Sequence, residues 1–242
     1  MCKARAERPL SMASVLLIVA AAMIAGCSDD VVCPEPSPDM VPFVSARVAE
    51  SDESSGAATT ASVFCTADPL PDYLATSISG RQVNTVEVPE EPGILRTLED
   101  DLIVWQPGVQ CSLSVTTNYG FAKSIVTVPE SPEVTGPPSF SLGDSLRLYW
   151  RAAPGADYYR ITADAPATSG GSFVLSATTR ETTHVFEADV FTATGTVAGH
   201  VDAVSGPLRE SGGEGNVTGL GWGFFTVDYH DSSGTFSVEI VE

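Results

Sequence analysis

The chain is poor in the residue types that carry out acid–base and metal chemistry. Its three histidines are His184, His200 and His230. His200 stands two positions before Asp202, and because alternate residues of a strand share a face, we expect a His200–Asp202 pair at the surface. Asp228 and His230 have the same spacing, and Asp231 follows at a turn. Two or three such groups would hold a metal ion only weakly, so a polar hairpin end is the preferred interpretation and we predict no metal site.

Motifs for nucleophilic or phosphate chemistry are missing from the sequence as well. A catalytic serine on a strand-to-helix turn needs G-x-S-x-G, and the segment around Ser205 lacks the first glycine. The glycine-rich segment 212–223 lacks the Lys-Ser/Thr ending of a phosphate-binding loop. We therefore predict no catalytic residue, no cofactor and a non-enzymatic protein. The alternative is an envelope hydrolase whose carboxylate pair stands unidentified among the 31 acidic residues.

One aromatic side chain has the character of a ligand contact. Trp222 stands between Gly221 and Gly223, so its immediate neighbours in the chain have no side chains. An exposed tryptophan could stack on a sugar ring or on a partner protein. The alternative is a tryptophan in the core or at the edge of the last sheet.

The first 26 residues have the features of a segment that directs export. Positions 1–8 contain three basic residues, and residues 12–26 are apolar apart from Ser14. The apolar run is shorter than the roughly 20 residues of a membrane-spanning helix, and it has the length typical of a signal peptide. The run ends in Ile-Ala-Gly, directly before Cys27.

This ending resembles the lipobox of bacterial lipoproteins. The resemblance implies that residues 1–26 are removed and that the Cys27 thiol carries a lipid, so the membrane is the expected partner of this end of the chain. Ser28 occupies the position where an aspartate retains lipoproteins of enteric bacteria in the inner membrane, and Ser-Asp-Asp at 28–30 is similar to acidic surface-export signals. We therefore expect a lipid-anchored protein of the bacterial cell envelope at the outer membrane, with surface exposure as a further hypothesis.

The charge of the chain argues against nucleic acid as a partner. The sequence has 12 basic and 31 acidic residues and a formal net charge of −19. A nucleic-acid-binding protein needs a basic face that displaces counterions from phosphates. The few scattered cations do not supply such a face.

Beyond an acidic, proline-rich tether at 27–42, the hydrophobic pattern has the period of β-strands. Apolar and polar residues alternate in residues 61–66, 111–116 and 146–151, as in half-buried strands. Turn residues at 117–121 and 230–235 predict hairpin tips. The one weak helical pattern, in residues 93–100, is about one turn long. The sequence therefore predicts an all-β chain of two tandem immunoglobulin-like β-sandwiches.

A proline-rich segment separates the two predicted sandwiches. Residues 128–139 contain four prolines and no alternating pattern, and proline cannot donate to a sheet ladder. The predicted organisation is a signal peptide at 1–26, a tether at 27–42, a first sandwich at 43–128, a linker at 129–138 and a second sandwich at 139–242.

The second predicted sandwich resembles a fibronectin type III module. Residues 145–164 are similar to its second and third strands, with Trp150 on the earlier strand and Tyr-Arg-Ile at 159–161 after a Pro-Gly turn. Residues 197–207 resemble the later strand of the module. The sequence departs from the family pattern at 195–196, where Gly-Thr replaces the expected aromatic residue, and a glycine-rich insertion follows.

The first predicted sandwich resembles transthyretin-like or carboxypeptidase-regulatory-like domains. Residues 105–129 are similar to the end of that pattern, with Cys111 in place of an aromatic residue, and 56–66 would be an early strand. Two such modules behind a lipobox are similar to envelope lipoproteins found near outer-membrane uptake receptors. This resemblance implies a location and an architecture. The few histidines and the missing nucleophile and metal motifs favour a non-catalytic interaction or structural module over a hydrolase. Its partner would be an outer-membrane receptor, another protein or a glycan.

Three cysteines remain once the signal peptide and the lipidated residue are set aside. They are Cys33, Cys65 and Cys111. Cys65 and Cys111 each share strand parity with apolar neighbours, so both should point into the first core from opposite sheets. In an oxidising compartment we predict a Cys65–Cys111 disulfide, with Cys33 left over for pairing between molecules or as a thiol. The alternative is two buried thiols that act as small apolar side chains.

Overall fold

Strands and turns make up nearly all of the structure, a computed structural model that describes residues 43–50, 59–66, 72, 74–86, 94–100, 106–208, 214–219 and 221–242. The helices in these ranges are two single-turn 3₁₀ segments, Ala188–Val190 and Ser232–Gly234. No helix in the described part of the chain is long and apolar enough to cross a membrane. The predicted signal peptide, the lipidation site Cys27 and Cys33 lie outside the described residues.

The described residues form eighteen strands, and the predicted all-β class is confirmed. In chain order they are β1 (Phe43–Glu50), β2 (Thr59–Thr66), β3 (Leu74–Ile78), β4 (Arg81–Gln82), β5 (Asn84–Val86), β6 (Ile94–Asp100), β7 (Gln110–Thr117), β8 (Gly120–Thr127), β9 (Glu133–Thr135), β10 (Ser139–Ser141), β11 (Leu146–Arg151), β12 (Tyr158–Pro166), β13 (Ser172–Thr179), β14 (Thr183–Phe186), β15 (Gly195–Ser205), β16 (Thr218–Gly219), β17 (Trp222–Tyr229) and β18 (Thr235–Val241).

Three sheets contain these strands and give a sandwich-like all-β architecture. The largest runs β10-β18-β15-β17-β1-β2-β6-β5, with β12 on β15 and β13 on β12. The others run β14-β11-β9 and β16-β8-β7-β3-β4. Alternation along β11 buries Leu146, Leu148 and Trp150 and exposes the residues between them, as the sequence pattern predicted.

One of the two predicted hairpins forms and the other does not. β7 and β8 pair antiparallel up to Thr117 and Gly120, which confirms the first. The hairpin predicted at 230–235 is wrong, because β17 and β18 both pair antiparallel with β15. β12 pairs with one edge of β15. β17 and β18 therefore pair with successive segments of the opposite edge of β15, and the 3₁₀ turn Ser232–Gly234 connects them.

The weak helical pattern at 93–100 is also overturned. Residues Ile94–Asp100 form β6, which pairs with β2 and β5. An isolated helical turn fixes several residues for one hydrogen bond. β2 pairs along all of residues 94–100, and β5 pairs with residues 95–97 on the other edge. These ladders give the backbone more hydrogen-bond partners than one helical turn would, so tertiary structure overrides the local pattern.

Two clusters of buried apolar side chains form the cores. The second core draws on β11, β12, β15 and β18, all after residue 139. The first core contains Val44, Leu113 and Val126 from the first half of the chain, together with Phe225 and Val227 from β17. The C-terminal half thus supplies a strand to the N-terminal core. The boundaries predicted at 129–138 stay a prediction, and the described residues belong to one compact unit, Ser37–Glu242.

The pairing of β17 with β1 depends on one glycine, Gly223. β1 and β17 pair in parallel, with Phe43 opposite Trp222 and Val44 opposite Gly223. Gly223 has φ +147°, and a Cβ there would lie 1.7 Å from the carbonyl oxygen of Val44. A side chain at this position would therefore push β17 away from β1 and from the first core.

Candidate functional site

One face of β17 carries a row of aromatic and polar side chains. Phe225 and Val227 point into the first core and are fully buried, so the alternate residues Trp222, Phe224 and Asp228 lie on the opposite face of the strand. The parallel register places the exposed-face residues of β1 beside them. The row therefore continues across two strands of the large sheet, and it is called the outer stripe below.

The aromatic end of the outer stripe contains the residue that the sequence singled out. The Trp222 side chain is 53% exposed, and its ring packs edge-to-face on Phe43 with centroids 4.7 Å apart. Phe43 also contacts Phe224, at 6.2 Å between centroids. β17 lies between β15 and β1 in the sheet, but it pairs with β15 only at residues 227–229, and the sheet partner at Trp222 is Phe43 of β1. The exposed ring of Trp222, supported by two phenyl rings, is compatible with the stacking role predicted from the sequence, which stays a prediction.

Farther along β17, two arginines converge on one carboxylate. The Nε atom of Arg47 donates to Oδ2 of Asp228 at 2.7 Å, and Nη1 of Arg160 donates to the same oxygen. The Asp228 side chain is fully buried, whereas those of Arg47 and Arg160 are 46% and 25% exposed. Burial raises the pKa of Asp228, and the two guanidinium charges oppose that shift. Each guanidinium has five N–H donors, so both have donors beyond the one that each gives to Asp228.

A cavity of about 250 Å³ opens at these arginines. Its lining includes Arg47, Arg160, Tyr158 and Phe224. Burial, followed by the charge of Asp228, raises the pKa of Tyr158 to about 12, so its hydroxyl stays protonated and can donate at neutral pH. The cavity therefore joins an aromatic wall to two partly exposed cations.

A second polar cluster lies along β15 at the junction between the segment that pairs with β17 and the segment that pairs with β18. His200 and Asp202 are on β15, and His230 directly follows β17. Oδ1 of Asp202 lies 2.7 Å from Nδ1 of His230, and Oδ2 lies 3.7 Å from Nε2 of His200. The two imidazole rings stack with centroids 4.3 Å apart and planes 5° apart. Three potential metal-ligand atoms thus lie within 4.8 Å of one another.

The buried carboxylate of this cluster is held ionised. Asp202 is 5% exposed. Burial by itself would raise its pKa, but the hydrogen bond with His230 and the charges of His200, His230 and Arg47 outweigh burial and hold the pKa below its ordinary value. The predicted surface pair of His200 and Asp202 is therefore a largely buried one.

The sequence grouped these residues differently. It paired His230 with Asp228 through their i, i+2 spacing, but β17 ends at Tyr229 and the chain turns at His230. Asp228 faces the two arginines, and His230 faces Asp202 on another strand. The His200-x-Asp202 spacing indicates two of the three residues of the cluster. No signal along the chain joins it to a residue 28 positions away.

The predicted Cys65–Cys111 disulfide is not present in the structure. Cys65 on β2 and Cys111 on β7 are both buried in the first core, from different sheets, as their parity predicted. Both remain thiols, and Oγ of Ser79 donates to Sγ of Cys111 at 3.4 Å. Burial raises the pKa of the Cys111 thiol, which makes it a poor nucleophile for oxidation. The alternative of two buried apolar thiols therefore describes these residues.

Comparison with known proteins finds one distant structural likeness and no matching family. No family model matches the chain, and no curated protein sequence matches it. Among solved structures, domains A168–A170 of titin are similar, with a TM-score of 0.23 and 12% sequence identity. The match covers 67% of this chain and 60% of the titin chain, so this chain spans less than two thirds of the length of that relative.

Proposed function

We propose that the protein is a lipid-anchored, non-catalytic binding module of the bacterial cell envelope that recognises an anionic carbohydrate. The anchor is the lipid expected on Cys27, and the folded part combines the transthyretin-like and fibronectin type III-like modules that the sequence resembles. The observation that carries the proposal is the outer stripe, where the exposed ring of Trp222 and the Arg47–Arg160 pair share one face of the sheet.

The electrostatics of the arginine cavity favour an acidic group on the ligand. The carboxylate that the two guanidinium groups share is fully buried, whereas the guanidinium groups are partly exposed. The groups that face solvent at the cavity are therefore cationic, in a chain whose net charge is −19. Guanidinium groups match carboxylates and phosphates through paired N–H donors. The rest of this acidic protein repels anions, so an anionic group is attracted to the partly exposed guanidinium groups of the cavity.

The spacing of the stripe suits an oligosaccharide rather than a single sugar. Arg47 lies opposite Thr226, four residues along β17 from Trp222. At about 3.3 Å per residue, the aromatic platform and the arginines are about 13 Å apart. This separation corresponds to two or three sugar units, with an apolar ring face on Trp222 and an acidic substituent at the arginines.

The competing function is hydrolysis by two buried acids, Asp228 of the outer stripe and Asp202 on the neighbouring strand β15. Each carboxylate is already engaged, Asp228 by two arginines and Asp202 by an imidazole. A glycosidase needs one of its two carboxyl groups to carry a transferable proton beside the substrate. The engagement of both groups supports binding without catalysis.

Calorimetric titration of the full-length chain in detergent tests the proposal. The probes are trigalacturonate, a phosphorylated glucose trisaccharide and neutral maltotriose. We expect saturable binding of an acidic probe, weaker binding of maltotriose, and an affinity that falls as salt is raised. Trp222→Ala and Arg160→Gln should each weaken binding by about 10-fold. Arg151→Gln, which changes an exposed arginine paired with Glu133 elsewhere, is the matched control.

The outcomes separate the candidates. A preference for trigalacturonate or for the phosphorylated probe identifies the acidic group. Equal binding of acidic and neutral probes, or equal loss in all three variants, would overturn the proposal. Mass spectrometry of the recovered probe should show intact trisaccharide, and shortened sugars would favour the hydrolase instead.

A further inference from the structure

We propose that His200, Asp202 and His230 bind one divalent transition-metal ion of the Zn²⁺ class. This site is separate from the proposed carbohydrate contact and does not depend on it. Its donor set is two imidazole nitrogens and one carboxylate oxygen, and the donor atoms lie within 4.8 Å of one another. Imidazole ligands suit zinc, copper and nickel, whereas calcium and magnesium prefer oxygen ligands throughout.

The distances between the donor atoms are close to those of a tetrahedral site. With Zn–N and Zn–O bonds of about 2.0–2.1 Å, neighbouring tetrahedral ligands are about 3.3 Å apart. Oδ1 of Asp202 lies 2.7 Å from Nδ1 of His230, and the other carboxylate oxygen, Oδ2, lies 3.7 Å from Nε2 of His200, on either side of that value. The imidazole planes are 5° from parallel, and an imidazole nitrogen binds a metal in the plane of its ring, so one ring must rotate out of the stack for both nitrogens to face one ion. Metal binding would then replace the proton that His230 and Asp202 share.

The burial of the cluster also fits a metal site better than a solvated polar patch. The side chains of His200, His230 and Asp202 are 14%, 12% and 6% exposed. A carboxylate this buried is stabilised by a cation placed against it. Three protein ligands leave a fourth position, which water or a ligand group would fill.

The backbone around His230 is built to hold that side chain in place. Gly234 packs against it so closely that a Cβ at this position would lie 2.7 Å from Cβ of His230 and 3.1 Å from the carbonyl oxygen of Val201. The N–H of Asp231 donates to Ser131 Oγ at 2.9 Å, and its carboxylate accepts from the N–H of Ser233 at 2.8 Å. These bonds fix the turn that presents His230 to Asp202, and such support is what positions metal ligands accurately.

The register of β15 explains why the site lies at this point. Residues 195–200 of β15 pair with β18, and residues 203–205 pair with β17. Asp202 lies between these two paired segments, where one partner strand has ended and the next has not begun. The gap admits the His230 side chain, so the change of partner along β15 creates the cluster.

Titration of the metal-stripped, full-length chain with Zn²⁺ tests the inference. The chain should carry an affinity tag without histidine. We expect one Zn²⁺ per chain by calorimetry, a rise in Tm on adding Zn²⁺, and visible absorption bands on replacement by Co²⁺. His230→Ala and Asp202→Asn should each weaken Zn²⁺ binding by about 10-fold or more. His184→Ala removes the remaining histidine, on β14, and should leave binding unchanged.

The outcomes either support or overturn the site. Absence of saturable Zn²⁺ binding would overturn it, and so would binding that persists unchanged in both cluster variants, since exposed acids would then hold the metal. His230→Gln keeps a polar side chain of similar size and serves if the alanine variant fails to fold by circular dichroism. Trp222→Ala should bind Zn²⁺ normally, so failure of the carbohydrate proposal does not affect this one.

Discussion

Replacement of Phe225 by alanine should destabilise the first core, although this residue lies a hundred positions beyond the other strands of that core. Phe225 is fully buried and belongs to the first cluster. Truncation of a buried phenylalanine to alanine costs about 3–5 kcal/mol, because transfer energy is lost and a cavity remains. Native stabilities of about 5–15 kcal/mol leave the variant folded but weakened. The milder Phe225→Leu variant serves if the alanine variant does not fold.

Hydrogen exchange followed by mass spectrometry is the assay, because it locates the loss. A cost of 3–5 kcal/mol corresponds to faster exchange by about 100-fold to several thousand-fold at the affected amides. We expect this increase in β7 and β8, which share the core with Phe225. The matched control is Phe186→Ala, which truncates a phenylalanine of the second core and should raise exchange most in β11.

The pattern of exchange also shows whether β17 completes the first core. If Phe225→Ala leaves β7 and β8 at wild-type protection and loosens β11 instead, β17 does not complete the first core. If both variants loosen all strands alike, the two cores unfold together, and the magnitude is then read from chemical denaturation of each variant.

Three further changes test other parts of the molecule. Cys27→Ala should prevent lipid attachment and cleavage, and equal mass and membrane retention for the variant and the wild type would contradict the lipobox interpretation. Gly223→Ala should lower the free energy of unfolding in urea by more than about 1 kcal/mol, because the new Cβ would lie 1.7 Å from the Val44 carbonyl oxygen. The control, Gly80→Ala, is also at positive φ but has no heavy atom within 4 Å of the new Cβ, so it should lower the free energy of unfolding less. Asp202 has a folded pKa below its ordinary value of 3.8, so its stabilising contribution is present above pH 3.8 and is lost as pH falls through the folded pKa. Urea unfolding should therefore show wild-type stability falling towards that of Asp202→Asn below about pH 4, and a constant difference between them would contradict the assignment.

Much of the local structure could be predicted because it depends on short-range patterns. Alternation in residues 146–151 determines which side chains of β11 are buried, and the turn residues at 117–121 determine the β7–β8 hairpin. The parity of Cys65 and Cys111 placed both in the first core. Their oxidation state could not be predicted this way, because it depends on the distance between the two sulfur atoms and on their orientation rather than on the face of a strand.

Local sequence patterns were enough to predict the all-β class and the face of the sheet that individual residues occupy. They also show the low content of catalytic residue types and the motif on which the lipid anchor is predicted. Tertiary structure alone decided that β17 leaves its neighbours in the chain and pairs with β1, and that it shares one edge of β15 with β18. Those pairings bring Arg47 to Asp228 and His230 to Asp202, across 181 and 28 positions of the chain. The physical reason is that strand alternation specifies which face a side chain occupies, whereas the partner strand is selected by close backbone approach, as at Gly223, and by burial in a shared core.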